Sequence, residues 1–554
     1  MLNTTNPTPA CDLVTLVSAR FGELSVAETK LLEAASKGEL AVCGPNDNQD
    51  DPANDPAKAG EWSTDREIRA ELIRWLCVDG AAQEQVDPKG IRTFGARVVG
   101  KQDLSYVVVP FGLALQRCRL MEDAEFYSTE LPKLDLQGTW VRSFNADRIS
   151  VKGSIFLRDG FRAEGEVRLL GAQVSGNLDC GNSVFMNPSG DALSADRVNV
   201  KGDVFLDDGF RAEGVVRLSG AQIGGTLDCE KGAFTNSSKK ALNASGIRVK
   251  GNIFLRDGFR AEGEVRLAGA QIEGDFVCIG SRINGQLVAQ GLSVRGHLFW
   301  SGIANPEQAR VDLRNGSVGA LIDDIENWPP AGQLVLDGFT YARISAAEKG
   351  AGKRLKWLAR QESFAPQPYR QLARVLREEG DEAGARRVLF EMELLRRQKE
   401  DRGRLERFWS GMLRRTIGFG YYPAKSLLWL LGLTVVSMFL TWGGYAVGSL
   451  APADKEAYGP FKQSSQLPLH YDRFYPPVYA LENSFPLVKL GQAERWQPDP
   501  NPQWQCSSPK CFSRLLCWVL SPVVLRGLRW CQICLGWFFT TMFVAGVSGI
   551  VRKD

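Results

Sequence analysis

Three stretches of this chain carry nearly the same sequence at a constant interval. Val151-Lys-Gly-Ser-Ile-Phe-Leu-Arg-Asp-Gly-Phe-Arg-Ala-Glu-Gly-Glu-Val-Arg-Leu recurs with few changes from Val200 and again from Val249, 49 residues apart each time. Self-similarity at a constant period marks an array in which each unit buries its apolar face only against its neighbours. Such an array offers a long surface rather than one deep catalytic pocket.

The unit subdivides. Gly153, Gly165 and Gly176 each precede a short alternating run, and the same triplet falls at Gly202, Gly214 and Gly225, a sub-period of about twelve. Alternation is the signature of a half-buried strand, and the glycines are expected to supply turns with positive φ. A strand and a corner at this spacing leave no room for a helix. The reading is roughly 24 residues per coil and two coils per unit, a mainly β fold built on a right-handed parallel β-helix, or solenoid.

Equivalent positions of a solenoid stack along its axis. Cys180, Cys229 and Cys278 share the 49-residue spacing, as do Phe161, Phe210 and Phe259, so a cysteine column and a phenylalanine column are expected. Two coils at about 4.8 Å each put neighbouring cysteines roughly 9–10 Å apart. That is beyond a disulfide or a shared metal, so the cysteines read as small buried apolar residues. Arg162/Glu164, Arg211/Glu213 and Arg260/Glu262 read as solvated charge ladders and are the candidate contacts for a protein partner. Asp179 and Asp228 also stand in register, but their third counterpart is Val277, which argues against a row of catalytic acids.

Weaker echoes place the solenoid at residues 90–345, roughly ten coils and about 50 Å long. Before it come an N-terminal helical segment (1–43), a linker rich in Pro, Asp, Asn and Ala that is expected to be mobile (44–61), and a capping helix (62–89). Capping boxes at Ser25/Glu28 and Thr64/Glu67 predict two helix starts, and Gly38 predicts the end of the first helix. After the solenoid the apolar spacing becomes helical. Tyr369, Leu372, Ala373 and Leu376, then Ala385, Val388, Leu389 and Met392, flank Gly380, predicting a helical hairpin followed by a basic juxtamembrane helix (346–425).

Ser426–Val447 and Trp530–Val551 are each 22 residues without a charge, and so predict two transmembrane helices at 426–447 and 530–551. No basic and apolar leader opens the sequence. Nine cations against three anions precede the first span, among them Arg396, Arg397, Arg402, Arg414 and Arg415. These read as contacts to anionic lipid headgroups, and the positive-inside rule then predicts a cytoplasmic solenoid and two cytoplasmic termini. A whole-chain charge of +3 gives no case for nucleic acid. The external loop, 448–529, holds Cys506, Cys511 and Cys517, enough for one disulfide and one thiol. Pro476–Gly491 is expected to form a short helix that lies at the interface or dips into the membrane. Two spans around a re-entrant segment are the outline of a channel subunit, implying a homo-oligomer, although the glycine pattern of a selectivity filter is missing.

Conventional chemistry is sparse. The two histidines, His297 and His470, lack metal-ligand spacing, and neither a dinucleotide fingerprint nor a phosphate loop is present, so no metal and no cofactor is expected. Cys531 and Cys534 have the spacing of a dithiol redox pair, but they open an apolar span where a thiolate forms with difficulty. Arg69-Ala-Glu-Leu-Ile-Arg-Trp-Leu, Val86-Asp-Pro-Lys-Gly-Ile-Arg, the Gly-Ala-Gln-Ile/Val-x-Gly-x-Leu-x-Cys repeats and Pro368-Tyr-x-x-Leu-Ala-x-x-Leu-Arg resemble a family of uncharacterised bacterial β-helix-repeat membrane proteins. Some members are labelled membrane-associated oxidoreductases. The resemblance implies a multi-pass protein of a bacterial inner membrane. Three function classes follow: a scaffold or sensor, a pore gated by the solenoid, and a membrane thiol oxidoreductase.

Overall fold

Strand pairing between residues 41 and 344 is parallel throughout, and each strand pairs with the one a single coil further on. The computed structural model describes residues 13–345, 350–399, 403–485, 487–501 and 514–548. They fall into two compact units, Met1–Ala385 and Arg386–Asp554. The first is a parallel β-solenoid of about 11 turns, closed by helices at both ends. Ile155 pairs with Leu178 and Leu178 with Val204, so coils of 23 and 26 residues alternate and together make the 49-residue period.

Each coil has four short sides rather than two. The inward pairs Ile155/Leu157, Phe161/Ala163, Val167/Leu169 and Ala172/Val174 are all buried, and the next coil begins at Leu178/Cys180. A side recurs every five or six residues, so the twelve-residue sub-period spans two sides and two corners. Alternation survives over only three residues per side, which is why one strand per twelve is the natural reading of the sequence.

Most glycines of the two triplets do a different job from the one expected. Of the six in the two triplets only Gly214 has a left-handed φ. Left-handed corners fall on Asp159, Asn182, Asp208, Lys231 and Asp257, mostly short polar side chains that tolerate this region, and on other glycines such as Gly171, Gly220, Gly246, Gly269 and Gly291. Gly153, Gly176, Gly202, Gly225, Gly251, Gly274 and Gly296 instead stack coil upon coil, and a Cβ at Gly251 would stand 2.6 Å from the Gly225 carbonyl oxygen. The column is made of glycine because the backbones touch. Gly251→Ala is therefore expected to cost about 1–3 kcal/mol through overpacking, with no φ penalty, and to appear as a lower melting temperature of the solenoid. A neutral substitution would show that the coils can separate there without loss.

Two side-chain columns fill the core. Phe161, Phe185, Phe210, Phe234 and Phe259 form an unbroken ladder with ring centroids 5.7, 5.2, 5.4 and 5.3 Å apart. The repeat announces every second rung, and Phe185 and Phe234 supply the rest. The cysteine column is diluted: Leu157, Cys180, Leu206, Cys229, Leu255 and Cys278 alternate, all buried.

The N-terminal cap departs most from expectation. Helix α1 (Leu13–Phe21) leads to α2 (Val26–Lys37), whose capping box at Ser25/Glu28 and left-handed Gly38 form as predicted. The Thr64/Glu67 box does not form: Thr64–Arg66 is a single 3-10 turn, and Glu67–Arg69 is a strand paired with Arg97–Val99. Helix α3 starts only at Ala70 (Ala70–Val78) and is followed by α4 (Gly80–Gln85). Ala41–Val42 pairs with Thr93–Phe94, so the first coil starts near residue 41 rather than 90. Residues 44–61, expected to be mobile, form 3-10 turns capped by Asp51 and Asp55. The Arg66 guanidinium pins them, donating to Ala53 O at 2.8 Å and Gly95 O at 2.8 Å and lying 3.6 Å from the Trp62 ring centroid. The Asp and Asn content that resembles disorder is here a set of caps.

At the other end α5 (Ala351–Leu358) and α6 (Pro366–Glu378) cover the last coil, and α7 (Glu382–Lys399) follows after Gly380. Gln371 donates to Tyr341 O at 2.6 Å and Gln367 accepts from the Gly338 amide, satisfying a strand edge that would otherwise be open.

The second unit contains α8 (Arg404–Thr416), α9 (Ala424–Ala446), α10 (Lys455–Ser464), α11 (Pro476–Ser484), α12 (Gln492–Arg495), α13 (Arg514–Val519) and α14 (Pro522–Val547). Helices α9 and α14 are long and apolar enough to cross a membrane, and most of their residues are not buried within the protein. They run antiparallel: Trp429 stacks on Phe539, and Ser437 bonds Gln532. The second helix starts eight residues before the uncharged run, so Arg526 and Arg529 lie inside it, donating to Pro498 O and to Asn483 Oδ1. Between these helices Leu450, Phe474, Tyr479 and Trp496 form a small core beside an antiparallel strand pair, Leu450–Pro452 with Trp496–Pro498. Cys517 is disulfide-bonded; Cys506 and Cys511 lie outside the described residues, as does Val551.

Candidate functional site

One side of the solenoid carries a groove of about 640 Å³ running across successive coils. Its outward row is Asn199, Gln222, Arg248, Gln271 and Ser293, each in register with the next. Two positions further along each coil come Lys201, Gly224, Lys250, Glu273 and Arg295. Gly224 makes the depression, since a Cβ there would overlap the Lys201 carbonyl. The rim is strongly basic: Lys201, Arg248, Lys250 and Arg295 are exposed, and Glu273, 3.8 Å from Arg295, is the one acid lining the groove. Four coil steps separate Asn199 from Ser293, about 19 Å.

This stripe was partly legible. Lys152, Lys201 and Lys250 occupy the same place in the three repeats, immediately after the valine that opens each. Arg248 is two residues before Lys250, while Arg295 comes from another part of the pattern, and only the coil register brings both alongside Lys201.

The charge ladders proposed from sequence lie on another side. Arg211 and Arg260 are exposed, and Val184 and Ala233 occupy the intervening coils, so the arginines recur at every second coil. Arg162 lies against Trp140, 4.9 Å from its ring centroid, and Glu164 is bridged by Arg119 at 3.0 Å. Glu213 sits beside Thr235, and Glu262 accepts from Asn284 at 2.8 Å. The structure thus spreads these six residues along a face where several are satisfied within the fold.

The acids are arranged differently from a catalytic row. Phe205 separates Asp179 from Asp228, while Asp207 joins them from the next corner. Burial, with Asp228, Asp208 and Asp179 nearby, pushes the Asp207 carboxyl up to about 6. Asp179 is paired with Arg158 at 3.1 Å. Among the described residues no group of three or more His, Cys, Asp or Glu is arranged to hold a metal ion. His297 Nδ1 lies 2.9 Å from Asp275 Oδ1, part of a side-chain ladder along the glycine column, and His470 is exposed in the second unit.

The cysteines separate into two kinds. Burial raises the Cys180 and Cys229 thiols far above their ordinary value, which makes them inert packing groups. Cys531 and Cys534 are free thiols exposed on the surface of α14.

Of the basic residues before the first span, Arg414 and Arg415 are exposed in the last turn of α8. Arg397 is bound to Glu393 and lies 4.3 Å from the Phe419 ring centroid, Arg396 is 4.0 Å from Glu393, and Arg402 falls outside the described residues. The same helix exposes Leu405 at 85%, Phe408 at 71% and Trp409 at 50%. An amphipathic helix with bare aromatic residues and flanking arginines suits the headgroup region of a bilayer.

No protein-family model, curated protein or solved structure matches this chain.

Proposed function

We propose that this protein is a membrane-anchored scaffold whose solenoid holds a protein partner in the basic groove. The observation that carries the reading is the exposed rim of Lys201, Arg248, Lys250 and Arg295 around a backbone-floored depression. A groove of about 19 Å accommodates roughly six residues of extended chain at 3.3 Å each, so an acidic, extended segment is the fitting occupant. Two apolar helices and the amphipathic α8 supply the anchor. The basic run before the first span supports a solenoid and termini on the cytoplasmic face of the membrane.

A photo-crosslinking residue at Gln222, in the full-length protein in its own membranes, tests the reading. A discrete protein adduct is expected, salt-sensitive and lost when Lys201 and Lys250 are both changed to Glu. The same adduct from a crosslinker at Arg211, or its survival in the double variant, would move the binding surface elsewhere.

A further inference from the structure

Helix α11 stops halfway along a membrane-length helix. Gln532 of α14, only 5% exposed, accepts from Ser437 Oγ at 2.6 Å and donates to Ala480 O at 2.9 Å and Ser484 Oγ at 2.7 Å. Ser437 is 13 residues from the start of α9 and nine from its end. The last turn of α11 is therefore held at the middle of α9, about 14 Å from the nearer end at 1.5 Å per residue. One turn further along α14, a Cβ at Gly536 would overlap the Ser484 carbonyl, so a glycine is what lets the end of α11 seat there.

The chain then turns back from this depth. Buried Glu482 accepts from the Gly491 amide at 3.1 Å and from the Ala493 amide at 2.8 Å, tying the start of α12 to the last turn of α11. Arg529 reinforces the tie through Asn483 Oδ1 at 3.1 Å and Ala493 O at 2.7 Å. Between Glu482 and Gly491, Leu487 is 80% exposed, Leu490 is 51% exposed, and Lys489 is exposed.

Non-helical backbone that leaves α11 at mid-membrane depth, with an exposed ammonium group on its return to Gln492 beside the start of α11, is not stable against lipid; such loops persist where protein covers them or where they line water. We propose that a second and further copies of this chain cover this loop, and that residues 487–491 of the copies surround a water-filled, anion-conducting path faced by Lys489. Rings of lysine or arginine select anions. The inference rests on α9 and α14 spanning a bilayer.

The test uses the purified full-length protein. Alkaline carbonate extraction of native membranes comes first: release of the protein would overturn the membrane reading itself. With the protein retained, native mass spectrometry is expected to show a homo-oligomer, and liposomes carrying it are expected to pass chloride in preference to potassium. Lys489→Glu lies on the surface and should keep the same oligomer while reversing the sign of the reversal potential in a KCl gradient. A retained but monomeric protein, an oligomer without chloride flux, or unchanged selectivity in Lys489→Glu would each overturn the proposal.

Discussion

Phe210→Asp is expected to break the solenoid in its middle. Phe210 is fully buried between Phe185 and Phe234, with ring centroids 5.2 and 5.4 Å away. Removing the ring alone costs about 3–5 kcal/mol, and leaving a carboxylate without a partner in the same space adds to that. Repeat arrays are stabilised by nearest-neighbour interfaces, so the damage should sit in the adjoining coils rather than spread evenly. Hydrogen exchange on the full-length protein should show lost protection around residues 185–259, with residues 91–141 retained. Arg211→Ala, at the neighbouring exposed position, should stay within about 0.5 kcal/mol of the parent. Equal tolerance of both changes would mean that the side carrying Phe210 does not face inward.

Asp323→Ala is expected to unfasten the other end. The side chains of Asp323 and Arg354 are both completely buried and joined by two hydrogen bonds of 2.6 and 2.9 Å, and Asp323 also accepts from Trp328 Nε1 at 2.6 Å. Removing the carboxylate strands a buried guanidinium, at a cost of about 3–5 kcal/mol. The stack of Trp300, Trp328 and Trp357 surrounds the pair, so α5 should come away from the last coil. The check is proteolysis at residues 350–360 combined with exchange at 334–344. Replacing both partners by apolar residues, Asp323→Leu with Arg354→Met, should recover most of the loss, because the cost lies in the unpaired charge. Failure of the double variant to recover would show instead that the ion pair itself holds the cap.

Neither member of that pair is visible as a pair in the sequence. They are 31 positions apart and belong to no repeat. The Phe210 rung is visible, because a period of 49 residues states which positions are equivalent under translation along the axis. It does not state what lies between them. Phe185 and Phe234 sit in differently spelled coils, and the leucines between the cysteines were hidden in the same way. The glycines show a second ambiguity. A glycine is required both where φ is positive and where two backbones touch, and the letter is the same in either case. Gly176 and Gly202 belong to the second kind and Gly171 and Gly220 to the first, while further positive φ values fall on Asp159, Asn182 and Asp208.

The solenoid, its two-coil period, the inward phenylalanines and the two apolar helices follow from the sequence alone, since periodicity and unbroken apolarity are local properties that survive without coordinates. The basic groove, the ordered cap at residues 44–61 and the seat of α11 against Gly536 were decided by tertiary structure. Each depends on which distant residues become neighbours once the coils stack or the helices cross. Lys201 meets Arg248 and Arg295 only through coil register, Arg66 reaches Ala53 and Gly95 only across a folded turn, and Gln532 finds Ser437 only where two helices run antiparallel.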